Sequence, residues 1–149
     1  MRTLRYFLYE LQYAKFTRCL PFYLVRHNGI GEFYIPYAVD QAITIYGFNR
    51  RFSPIGYALL CQPEDFIDAS ERYHPCPTRE YLRQRIARSY FRGNTTFGIY
   101  ELMKMSLYKT DWSDWDETGS SINEEYWGYM GEFELLKEKK SALRSGPGH

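Results

Sequence analysis

The chain has 149 residues, 44% of them hydrophobic and 28 of them aromatic (three Trp, ten Phe, fifteen Tyr), with a formal charge of +1. That length buries a core without disulfide staples, and the apolar fraction excludes wholesale disorder. Near-neutral charge argues against a general polyanion binder, and no run of about 18 apolar residues offers a membrane span.

The charge is unevenly spread. Residues 1–92 carry 13 Lys/Arg against 8 Asp/Glu, and residues 93–149 carry 6 against 10. Cys19, Cys61 and Cys76 are odd in number and widely spaced, which fits a reduced, cytoplasmic protein better than a disulfide framework. Glu10, Gln12 and Lys15 interrupt the apolar N-terminal stretch, and no signal-cleavage pattern follows it.

Leu4, Phe7, Leu8, Leu11 and Ala14 recur at helical spacing and predict a helix over residues 3–18. Tyr6, Tyr9, Tyr13 and Phe16 form a second stripe on it. The helix therefore has an aliphatic and an aromatic face; the aromatic one lies between packed layers or is offered to a partner. Pro21 is expected to end this helix, and Asn28-Gly29 between two short apolar runs predicts a small β-hairpin over residues 22–35. Gly29 and Gly31 lack the third glycine and the Gly-Lys-Ser/Thr of phosphate loops.

Pro36 opens a helix whose Ala38, Val39, Ala42, Ile43 and Tyr46 continue to Gly47, and Arg50-Arg51 belongs to a solvated loop. The run Ile55-Gly-Tyr-Ala-Leu-Leu-Cys61 is too short for periodicity to decide, but Ala58, Leu59 and Leu60 without a β-branched majority favour helix. Pro63 begins another helical segment, anchored by Phe66 with Ile67 or Ala69. Its acids Glu64, Asp65 and Asp68 need no metal to explain them, because first-turn carboxylates complement the helix dipole.

The stretch His74 to Arg92, "HPCPTREYLRQRIARSYFR", reads as two units. His74-Pro75-Cys76-Pro77 is an extended approach, where side chains two apart share a face; a Cys76 nucleophile with His74 as base is the enzyme alternative. From Thr78, as cap, a helix places Leu82, Ile86 and Tyr90 on one flank and Tyr81, Arg85, Arg88 and Arg92 on the opposite one. Arg79 and Arg83 fall beside the apolar stripe and can lie across it by their stems.

Thr95 or Thr96 is expected to cap a helix running through Leu107. The stretch Ser113 to Trp127 is read as a long loop, with Trp112 and Trp115 among Asp111, Asp114, Asp116 and Glu117. Phe133, Leu135, Leu136 and Leu143 mark a charged C-terminal helix, and residues 145–149 have the composition of a disordered tail.

These readings combine into a mainly α fold, with α+β as the alternative: one compact domain over residues 1–144, of five or six helices and one small hairpin. No motif calls for a metal or a cofactor. The function expected is a protein-binding module, an adaptor or inhibitor such as a toxin- or effector-neutralising protein. Its binding residues are Tyr81, Arg85, Arg88, Arg92, Tyr6, Tyr9, Tyr13, Trp112 and Trp115. The partner is another protein, acidic in character, or a second copy; the alternatives are nucleic acid on the 79–92 arginine helix and a small Cys76/His74 enzyme. The arginine face also has an intramolecular candidate in the acidic segment 111–125.

Overall fold

The computed structural model describes residues 2–106 and 119–144. Among them are seven α-helices, two single 3-10 turns and no β-strand. The helices are α1 (Arg2–Asn28), α2 (Pro36–Ile45), α3 (Ser53–Leu60), α4 (Pro63–Ser70), α5 (Arg79–Tyr90), α6 (Ile99–Ser106) and α7 (Gly119–Arg144). The chain divides into two compact units, Met1–Thr110 with α1 to α6 and Asp111–His149 with α7.

The expected hairpin over residues 22–35 does not exist. Helix α1 passes through Pro21 and continues to Asn28, because Phe22, Tyr23, Leu24 and Val25 are buried and that burial outweighs the one hydrogen bond a proline removes. The Asn28-Gly29 signal is real, but it ends a helix instead of turning a ribbon. Gly29, at φ +80°, donates its N–H to Val25 O at 2.8 Å, while the Asn28 side-chain amide donates to Leu24 O at 3.2 Å. This is the left-handed glycine stop, which satisfies the last carbonyls of a helix. The following segment is held by Tyr34, whose hydroxyl donates to Gly29 O at 2.8 Å and accepts from Gly31 N at 3.2 Å. Its backbone N–H reaches Leu60 O at 2.7 Å, a tether to the end of α3 in place of a ladder.

Helix α3 is the axis of the first unit. Every residue from Ser53 to Leu60 is buried, which is why the run showed no amphipathic period. Helices α1, α2, α4 and α5 all pack on it, and α6 packs on α1. Gly56 marks the closest approach: a Cβ there would lie 2.9 Å from Val39 Cγ1, 3.0 Å from Leu20 Cδ2 and 3.3 Å from Phe16 Cζ. Absence of a side chain at this point lets α1 and α2 meet α3 together.

The remaining elements follow local signals. Pro36 sits in the first turn of α2, and Ala38, Val39, Ala42 and Ile43 form its inner face as expected. In α4 the anchors are Phe66 and Ala69, with Ile67 exposed. Helix α6 starts at Ile99, later than Thr95 or Thr96, because Glu101 reaches back to accept the Gly98 N–H at 2.8 Å. Of the stretch expected as a loop from Ser113 to Trp127, residues 119–127 are helical in α7, and residues 113–118 lie outside the described residues. Within α7, Tyr126, Met130 and Phe133 recur at helical spacing, and the Tyr129 hydroxyl donates to Glu125 one turn away at 2.8 Å. No described helix is long and apolar enough to cross a membrane.

Candidate functional site

Of the two faces of α1, it is the aromatic one that packs. The aliphatic stripe is on the outside, with Leu4, Phe7, Leu8 and Leu11 between 48% and 63% exposed. The aromatic stripe turns inward along the helix: Tyr6 is exposed, Tyr9 is half-buried, and Tyr13 and Phe16 are buried. Phe52 organises it, with ring centroids 5.5 Å from Tyr9, 6.1 Å from Tyr13 and 5.3 Å from Phe16. Rings pack more area per residue than aliphatic chains, so a helix with both faces gains most by burying the aromatic one.

Helix α5 supplies the cations that edge this cluster. Thr78 caps it, accepting the Tyr81 N–H at 3.2 Å. One turn on, the Arg85 guanidinium stands 4.5 Å from the Tyr13 ring centroid and 3.5 Å from Glu10 Oε1. Burial would lower the Arg85 pKa, but Tyr13, Tyr9 and Glu10 outweigh it, and the pKa is raised. Burial likewise pushes the Tyr13 phenol up to about 12, against the opposing pull of Arg85. The Tyr13 hydroxyl has no hydrogen-bonding partner among the described residues. Among the described residues, then, the carboxylate that meets the arginine face is Glu10.

Tyr81, Arg85 and Arg88 line one shallow hollow of about 260 Å³ on the outer side of α5. Arg92 is not with them. It lies beyond the end of α5 in a left-handed conformation, φ 52°, where the Phe91 and Gly93 N–H groups both close onto Ala87 O. Its neighbours there are Phe91 and Phe97, whose rings stack at 4.7 Å. Trp112 and Trp115 lie outside the described residues.

Arg83 is the arginine that sequence reasoning misplaced. It does not lie across the apolar stripe but enters the core, 9% exposed, donating to Ala58 O at 3.1 Å, Leu59 O at 3.4 Å, Thr95 O at 3.1 Å and also to Phe97 O. Its carbon Cζ sits 4.0 Å from the Phe97 ring centroid. One side chain thus satisfies the carbonyl end of α3 and ties down the segment entering α6. Burial, with Arg79 nearby, lowers its pKa to about 10, still well above neutrality. The available signal was position: residues 79, 82, 83 and 86 share the inner face of α5 at spacings of three and four.

A second polar cluster was also missed. Tyr57, fully buried in α3, donates its hydroxyl to Asp40 of α2, and the Arg72 guanidinium reaches both Asp40 Oδ2 at 3.3 Å and the Tyr57 oxygen at 3.1 Å. Burial first, then the Asp40 carboxylate, drive the Tyr57 pKa upward, so its proton stays in place. A lone tyrosine in an otherwise apolar run does carry a signal, since a buried phenol demands a partner. Nothing in the sequence identified that partner as Asp40.

The Cys76/His74 pair does not acquire an activating environment. Burial raises the Cys76 thiol pKa, whereas a nucleophilic thiol needs it lowered, and its Sγ faces Pro77 O at 3.3 Å. Cys19 and Cys61 are buried free thiols, their pKa values raised chiefly by burial. No group of three or more His, Cys, Asp or Glu side chains assembles among the described residues.

What fold and surface define is a small all-helical protein with an aromatic cluster bordered by surface arginines and ion pairs, an arrangement consistent with a protein-interaction surface. The chain belongs to the family of unknown function DUF6559, which matches residues 4–132. That span includes α1 to α6 and the first half of α7. No curated protein matches the chain, and no solved structure does.

Proposed function

We propose that the protein is a protein-binding module, an adaptor or inhibitor, whose docking face is the outer side of α5 and which takes an acidic surface of its partner. The observation that carries this reading is the clamp on Arg85. Its guanidinium is held by Glu10 on one side and by the Tyr13 ring on another, so much of the ordering cost of an arginine contact is met before any partner arrives. Arg88 and Tyr81 flank it, both exposed and forming one hollow with it. Arginine and tyrosine are the side chains most enriched where binding energy concentrates.

Charge supports a protein over a nucleic acid. The basic side chains of α5 are confined to one helix of a chain whose total charge is +1, whereas phosphate-backbone binders spread positive charge over several elements. The test is capture of a partner on immobilised protein, compared with Arg88→Glu and Tyr81→Ala. Both variants are expected to lose the partner while keeping the helical circular dichroism spectrum, and an Arg51→Glu control should retain it. Equal capture by all four proteins would overturn the reading. So would tight, salt-sensitive anisotropy changes with oligonucleotides, which would favour the nucleic-acid alternative.

A further inference from the structure

We propose that the pocket bounded by the end of α2, the Arg50–Phe52 turn and Arg72 binds a small tetrahedral oxyanion, either inorganic phosphate or a phosphate monoester. The pocket measures about 210 Å³ and brings Asp40, Thr44, Arg50, Ser53, Arg72 and Tyr73 to its walls. One water needs only about 10–15 Å³ by a comparable measure, so the space accommodates an anion and part of its substituent.

Four donor-bearing side chains line this pocket from separate elements. Arg72 is held in place through Asp40 and the buried Tyr57 hydroxyl. That bond pattern assigns Asp40 a role: both its oxygens are engaged, one by Tyr57 and one by Arg72, so it positions a guanidinium more than it repels a ligand. Arg50 is an exposed cation whose side chain forms no ion pair among the described residues. Ser53 is 1% exposed, opens α3 and lines the pocket, where its hydroxyl can donate to an occupant. Thr44, from the last turn of α2, adds a second hydroxyl.

Two guanidinium groups and two hydroxyls arriving from different directions suit a tetrahedral oxyanion better than a planar carboxylate. Two arginines against one aspartate leave the walls with a net charge of +1. Binding is therefore expected in the millimolar range and to weaken with salt. The Tyr73 ring, 5.9 Å from the Arg72 guanidinium carbon, offers a flat wall for an organic substituent.

The site lies on helices other than α1 and α5, so it stands or falls independently of the docking face. The test is an amide NMR titration of the full chain at constant ionic strength, with inorganic phosphate in one arm and phenyl phosphate in the other. Saturable shifts at Thr44, Ser53 and Tyr73 are expected, about tenfold weaker in Arg50→Gln for the loss of one charged hydrogen-bond donor. Ser53→Ala should weaken binding too, and Arg88→Gln should leave it unchanged. Tighter binding of phenyl phosphate assigns the site to monoesters, and equal or weaker binding assigns it to inorganic phosphate. Linear, unsaturated shifts, or shifts unaltered by Arg50→Gln, would overturn the proposal.

Discussion

Replacing Arg83 by Met keeps an unbranched stem of similar length and removes the guanidinium. Three of its bonds, to Ala58 O, Thr95 O and Phe97 O, are of ordinary or short length, and that to Leu59 O is marginal at 3.4 Å. A hydrogen bond from a charged donor contributes roughly 1.5–3 kcal/mol, and orphaned buried carbonyls add their own desolvation cost. Against this, Met no longer requires a cation to leave water, which returns several kcal/mol. The net expectation is a loss of about 3 kcal/mol, a large part of the roughly 5–15 kcal/mol that a domain possesses. Urea denaturation followed by circular dichroism should show a lower midpoint with an unchanged slope, and the thermal midpoint should fall by about 6–12 °C. Arg83→Lys should recover only part of this, because an ammonium is a point donor and cannot bridge the end of α3 and the 95–97 segment at once. A loss below about 1 kcal/mol in Arg83→Met would refute the idea that this arginine joins the two segments.

Three further outcomes follow from the packing. Gly56→Ala should destabilise by about 1–2 kcal/mol in thermal denaturation, because the crowding against Val39, Leu20 and Phe16 exceeds the gain of roughly 1 kcal/mol in helix propensity. Tyr13→Phe removes a buried hydroxyl that has no partner among the described residues and keeps the ring under Arg85, so urea unfolding should show unchanged or higher stability, by up to about 1 kcal/mol. In the alkaline range, Tyr13 and Tyr34 hold their protons to about pH 12 when folded, against 10.0 for the free phenol, both chiefly through burial. The folded state thus binds more protons than the unfolded one between those values, so stability falls as pH rises through them, by about 1.4 kcal/mol per unit for each phenol. Denaturant midpoints measured across that range, with phenolate absorbance appearing only on unfolding, provide the check.

Local chemistry was legible where one residue acts on its neighbours. Thr78 as cap, Pro36 in the first turn of α2 and the inner face Ala38, Val39, Ala42 and Ile43 all followed from spacing and residue type. Errors arose where tertiary burial decided. Pro21 and Asn28-Gly29 are local signals for a break and a turn, yet a proline costs one hydrogen bond while the four residues after it enter the core. The same applies to α1, whose aliphatic and aromatic stripes are equally periodic; only the presence of Phe52 inside shows which one packs. Of the candidate surface, Tyr81, Arg85 and Arg88 were placed together from helical geometry, but a helix wheel extended past Tyr90 could not foresee that Arg92 leaves the helix. The Asp40, Tyr57 and Arg72 cluster joins residues up to 32 positions apart, a separation at which no periodicity operates.

The dependence of α1 on α6 sets a schedule for synthesis. The N-terminal helix emerges first, but α6 starts about 70 residues after α1 ends. At a translation rate of about 5–20 residues per second, α1 waits roughly 4–14 s for that neighbour. Until Phe52 and Gly56 follow, Tyr13, Phe16 and Leu20 are apolar surface on a nascent chain, and Leu4, Phe7, Leu8 and Leu11 remain so in the finished fold. Chaperone capture of ribosome-bound chains should therefore concentrate on the first 28 residues and decline once Ile99 to Ser106 has been made.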